Sequence, residues 1–97
     1  MNSDPPLQIV LGNTPNIRII TFFIENPFDG YNIREVVKFT ETDEKSAYFW
    51  LNHFQQLGIL EYNQKRQYIV KRHNPIFQRL NKLVGDIGFD LSKLGLI

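Results

Sequence analysis

The chain contains no cysteine, which excludes a disulfide framework and any thiolate metal site. It has no long apolar run. The segment Ile17 to Ile24 is interrupted by Arg18 and Thr21 and falls well short of the roughly 20 apolar residues that cross a bilayer. The N-terminus lacks the basic and apolar regions of a signal peptide, so the expected location is cytoplasmic. There is no excess of charge of one sign either. Eleven Lys and Arg face ten Asp and Glu, for a formal net charge of +1, so any affinity for a polyanion must come from where the cations sit. A Gly-rich phosphate loop, a nucleophile beside a base and a carboxylate pair at catalytic spacing are all missing, and neither an enzyme nor a cofactor is expected. His53 and His73 are the only histidines and lack the spacing of a zinc-binding helix, so no metal is expected.

Apolar residues make up 42% of the 97 and aromatics 13%, enough for the core of one small domain. Met1 to Pro6 reads as a flexible lead. Leu7 to Leu11, closed by Gly12, is either a short helix or an extended arm. Thr14-Pro15 marks a helix start with Thr14 as the cap. Ile17, Ile19, Ile20, Phe22, Phe23 and Ile24 then give that helix a broad buried face, and Asn26-Pro27 ends it. After a Pro-Phe-Asp-Gly turn, Tyr31 to Ile33 reads as a single short strand. Asn32 and Glu35 form a capping box for a second helix over roughly Ile33 to Phe39, with Val36, Val37 and Phe39 facing inward.

Thr42 is expected to cap a third helix over Asp43 to Leu57, whose inner face carries Ala47, Trp50, Leu51, Phe54 and Leu57 ahead of a Gly58 stop. Ile59 to Tyr62 and Gln67 to Val70 alternate around the polar tip Asn63 to Arg66, as a two-stranded hairpin does. Asn74-Pro75 opens a last helix that bears Ile76, Phe77, Leu80, Leu83, Val84, Ile87, Leu91 and Leu94, with Gly85 and Gly88 admitting a break near Gly88. The result is a mainly α fold with a small β-hairpin (α+β), divided into a lead at 1–6, a domain at 7–73 and a C-terminal helix at 74–97. The order helix, short strand, helix, helix, hairpin, helix is that of a winged helix-turn-helix.

Leu11-Gly12-Asn13-Thr14-Pro15, Ser46-Ala47-Tyr48, Leu57-Gly58-Ile59-Leu60 and Asn74-Pro75 carry a resemblance over roughly Leu11 to Val84. The chain resembles the small archaeal winged-helix transcriptional regulators. The resemblance implies a homodimer on double-stranded DNA, with the third helix in the major groove and the hairpin, or wing, beside the backbone. One departure is Thr42-Asp43-Glu44, where that family commonly has Ser-Arg. Acidic residues near phosphates weaken nonspecific binding. They also suit the positive end of a helix, or accept from a cytosine amino group.

Helical geometry turns Lys45, Ser46, Tyr48, Phe49, Asn52 and His53 outward or to the flanks of the third helix, where such side chains read base edges and thymine methyls. Tyr48, Phe49 and Trp50 cannot all enter one core from one face, so an aromatic is left for a partner or a groove. Lys65 and Arg66 at the hairpin tip and Lys71 and Arg72 at its base are the expected phosphate or minor-groove contacts. Leu80, Leu83, Val84, Ile87 and Leu91 are the expected dimer interface, in a stripe larger than a three-helix core needs. Folding of that stripe back onto the first helix is the alternative cover. The competing functional expectation is a protein-interaction or assembly module anchored by Tyr48 and Phe49.

Overall fold

Three helices open on proline, whose missing N–H costs nothing at the first helical position. They are α1 (Pro6–Leu11), α2 (Pro15–Glu25) and α5 (Pro75–Lys93), with α3 (Ile33–Thr40) and α4 (Glu44–Gln56) between them. Strands β1 (Leu60–Tyr62) and β2 (Tyr68–Val70) complete the element order. The computed structural model describes residues 4–97; Met1 to Ser3, the first half of the expected lead, lie outside them. The rest of the lead is not free, because Pro5 caps α1 and accepts from the amides of Gln8 and Ile9. Leu7 to Leu11 is thus helical, and Leu7 is buried.

The core is built around α2. Ile19, Ile20 and Phe23 meet Val36 of α3, Ala47, Leu51 and Phe54 of α4, Leu60, Tyr68 and Val70 of the hairpin, and Phe77 of α5. Full burial of each large side chain contributes about 1.5–3 kcal/mol, and the four- then three-residue spacing of Ala47, Leu51 and Phe54 makes α4 the second wall. The hairpin is antiparallel, with Leu60 opposite Val70 and Tyr62 opposite Tyr68. Tyr31 adds an isolated antiparallel bridge to Tyr68, through N–H to O contacts of 3.0 and 2.7 Å. The strand segment expected over Tyr31 to Ile33 is thus reduced to one bridging residue, Tyr31, because Asn32 already caps α3 and Ile33 begins it; the bridge fastens the start of α3 to the sheet.

Several local expectations are corrected. Thr14 precedes α2 but makes no side-chain cap; its hydroxyl donates to Asn16 Oδ1 instead. The α4 cap is Asp43, not Thr42. Thr42 is buried, its hydroxyl paired at 2.9 Å with that of Thr40, which donates to Val36 O. With the Thr42 side chain turned inward, its hydroxyl donating to that of Thr40, the next side chain takes the cap, and α4 starts and ends one residue inside its expected bounds. Phe39 does not face inward. It is 54% exposed and stacks on Phe22 at 5.8 Å. Leu57 is exposed because the chain is already turning there, and Trp50 is only half-buried, at the edge of the core.

The chain leaves α4 through Gly58, at φ 77, a conformation that costs L-residues about 1–2 kcal/mol. A Cβ there would sit 2.8 Å from Asn74 Nδ2. That amide donates to Leu57 O at 3.3 Å, while Asn74 Oδ1 accepts from Phe77 N and caps α5. One side chain thus joins the end of α4 to the start of α5 across the hairpin. Helix α5 runs unbroken through Gly88 and packs along α1.

Candidate functional site

The surface bounded by α4, the hairpin and the start of α3 gathers most of the chemistry. At the hairpin tip, Asn63 Oδ1 accepts from the amides of Lys65 and Gln67, both at 2.9 Å. Arg66 N donates to Asn63 O, and Arg66 is held in the left-handed conformation at φ 61. An arginine keeps its charge here at a backbone position that favours glycine. The local hydrogen bonds fix the tip, so Lys65 and Arg66 project from a defined turn.

Beside the tip lies a cleft of about 470 Å³ lined by Arg34, Tyr48, Tyr62, Lys65, Arg66 and the start of α3 at Asn32 and Ile33. None of the residues lining it is acidic. Tyr48 is 47% exposed and Tyr62 48%. The Tyr62 ring lies 4.8 Å from that of buried Tyr68. Burial raises the Tyr68 phenol above its ordinary pKa, and the neighbouring Tyr62 and Tyr48 phenols add to the effect.

The three consecutive aromatics of α4 part company. Tyr48 flanks the cleft, Trp50 turns toward the core, and Phe49, 64% exposed, sets its ring edge-on to Trp50 at 5.1 Å. His53 leans on the same indole at 5.5 Å and is exposed, as are Lys45 and Asn52. Ser46 is half-buried, its amide engaged by the Asp43 carboxylate at 2.9 Å. Lys71, Arg72 and His73 line a separate cleft of about 500 Å³ at the hairpin exit, together with Glu61. The Arg72 guanidinium lies 4.7 Å from the ring centre of exposed Phe28, a cation–π contact. Among the described residues no cluster has the makeup of a metal site, and no helix is long and apolar enough to cross a membrane.

Arg34 and Tyr62 are the residues that sequence reasoning missed. Nothing local flags them, since only the Tyr31–Tyr68 bridge brings the start of α3 beside the hairpin. Of the expected interface on α5, Leu91 is buried by its own chain, and Leu80, Val84 and Ile87 are half-buried against the core; Leu83 is exposed. Part of the apolar surplus is thus covered internally, and the remaining edge is Ile76, Leu83 and Leu94, all exposed.

The Asp43 cap has a pH signature. The Ser46 hydroxyl, then the Ser46 amide, hold this carboxyl below its ordinary value of 3.8. The folded state binds the proton less readily than the unfolded chain, so the stabilisation is complete above about pH 5 and is lost as pH falls through the folded-state value. Asparagine caps without titrating in this range. The stability of wild type relative to Asp43→Asn should hold constant from pH 7 to 5 and fall below pH 4 in thermal melts; a constant difference down to pH 2.5 would count against the assignment.

Comparison with family models, with curated proteins and with solved structures yields no match. The functional reading therefore rests on the residues and their arrangement.

Proposed function

We propose that this chain is a winged helix-turn-helix protein that binds double-stranded DNA in a sequence-specific way and regulates transcription as a homodimer. On this reading α4 enters the major groove, the hairpin is the wing on the backbone or minor groove, and α3 with α4 forms the helix-turn-helix. The observation that carries the proposal is the cleft beside the exposed face of α4 where Arg34, Lys65 and Arg66 converge with no acidic residue in the lining, the carboxylate of Glu44 lying in the adjoining cleft. A chain of near-neutral net charge that concentrates cations in this way has a local field suited to phosphates. Asn52, Lys45 and His53 project from α4 where base edges would lie. The Ile76, Leu83 and Leu94 edge of α5 supplies the dimer contact, which would set two α4 helices roughly 34–36 Å apart on a pseudo-palindromic site. Regulation follows from occupancy of an operator and requires no chemistry from the protein.

The test is fluorescence anisotropy with labelled genomic duplexes across a salt series from about 50 to 200 mM. The expected result is affinity that falls steeply with salt, by a slope of about −0.9 per phosphate contacted, and that differs among fragments at fixed salt. Absence of binding at the lowest salt with micromolar protein would overturn the reading. It would instead favour a protein-interaction module, with exposed Phe49 as its anchor.

A further inference from the structure

Projecting cations suffice for contact with duplex phosphates, and the surface beside the hairpin tip has in addition a recess that such contact does not use. Its volume, about 470 Å³, falls within the range of small-ligand pockets. Two half-exposed phenol rings, Tyr48 and Tyr62, line it alongside Arg34, Lys65 and Arg66. Tyr62 is held in advance: its ring lies 4.8 Å from that of Tyr68, and Tyr68 is itself buried and bridged to Tyr31. A fixed aromatic ring loses little freedom when a flat partner stacks on it. The neighbouring cations match the phosphate joined to such a partner. Bases inside a duplex are covered above and below by their neighbours, so their flat faces cannot reach these rings; an unpaired base offers its face freely.

We infer that this cleft receives one unpaired nucleotide of a DNA strand, its base against Tyr48 and Tyr62 and its phosphate on Arg34, Lys65 and Arg66. The protein thereby prefers duplex that carries a single-stranded extension, or a frayed end, over fully paired duplex. This deepens the DNA-binding reading and rests on it.

The experiment compares a blunt duplex of about 20 base pairs with the same duplex extended by a five-nucleotide single strand, with 2-aminopurine at the first unpaired position. Binding to the extended duplex is expected to be about tenfold tighter, equivalent to about 1.4 kcal/mol, with 2-aminopurine fluorescence quenched on binding. Tyr48→Ala and Tyr62→Ala should each bring the ratio of the two affinities toward one, whereas Tyr48→Phe and Tyr62→Phe should keep it. Tyr48 is on the exposed side of α4, so its alanine variant folds and remains informative if Tyr62→Ala does not. Equal affinities for the two duplexes, or a ratio that survives Tyr48→Ala, would overturn the inference. Steeply salt-dependent binding with no preference sinks this inference alone, whereas failure to bind either duplex removes the DNA-binding reading as well.

Discussion

Replacing Arg18 with alanine is expected to lower stability by about 3 kcal/mol, a fall of more than about 10 °C in melting temperature for a domain of this size. The guanidinium reaches out of α2 to three carbonyls. Its Nε donates to Thr40 O at 2.7 Å, and its two terminal nitrogens donate to Asn13 O at 2.6 Å and Glu41 O at 3.1 Å. Thr40 ends α3, and Glu41 follows it in the left-handed conformation. Arg18 therefore satisfies carbonyls that the helix end leaves open and ties both the α3–α4 turn and the α1–α2 loop to α2. Charged donors contribute about 1.5–3 kcal/mol per bond; two of the three bonds are solvent-exposed and add little, which leaves the total close to that of one strong bond. Arg18→Lys should recover less than half of the loss, because one ammonium cannot span carbonyls on two segments. Urea titration measures both variants, and a loss under about 1 kcal/mol for alanine would show that water replaces the fork without penalty. The same turn sets where α4 begins, so duplex affinity should fall in Arg18→Ala even at temperatures where the variant is folded.

The second large effect concerns binding and leaves folding intact. The double substitution Lys65→Ala with Arg66→Gly removes both cations from the tip. Arg66 lies at φ 61, where glycine is free of the penalty of about 1 kcal/mol or more that a side chain incurs. Stability is therefore expected to stay level or rise slightly. Duplex affinity near 0.1 M salt should drop by about 10- to 30-fold for all sequences alike, and the salt slope should flatten by about 1.8 per hairpin, since each lost phosphate contact accounts for about 0.9. Asn52→Ala, by contrast, should change which sequences are preferred and leave the slope alone. If both variants shifted preference equally, the assigned division between α4 and hairpin would be wrong.

What the sequence made legible was local. The Asn32–Glu35 box, proline at the first position of α2 and α5, Asn74 as a cap and the hairpin around Asn63 all depend on residues within four positions of one another. Spacing alone therefore exposed them. Where two adjacent residues could perform the same task, spacing could not choose. Thr42 and Asp43 are both sound caps, and the choice was made by Thr40, whose hydroxyl engages Thr42. Phe39 sits at an inward spacing on α3, but the Phe22 ring meets it at the surface and the core has no need of it. The cleft was the least legible feature. It joins residue 34 to residues 48 and 62 through a bridge between two tyrosines 37 positions apart, and no local pattern encodes such a distant pairing. The fate of Leu91 was hidden for a similar reason: its burial depends on the remainder of the folded chain, and a stripe read by itself shows only surplus.

The Asn74 clasp has a consequence for how this scaffold tolerates change. Lys71 N reaches Ile59 O at 2.9 Å, and Asn74 Nδ2 reaches Leu57 O, so the hairpin is sewn shut at its root, well away from its tip. A loop of different length or sequence grafted between Gln64 and Lys65 would be carried as an interchangeable cartridge. The charge and shape of the tip would then change by insertion and deletion while the helical chassis stays untouched.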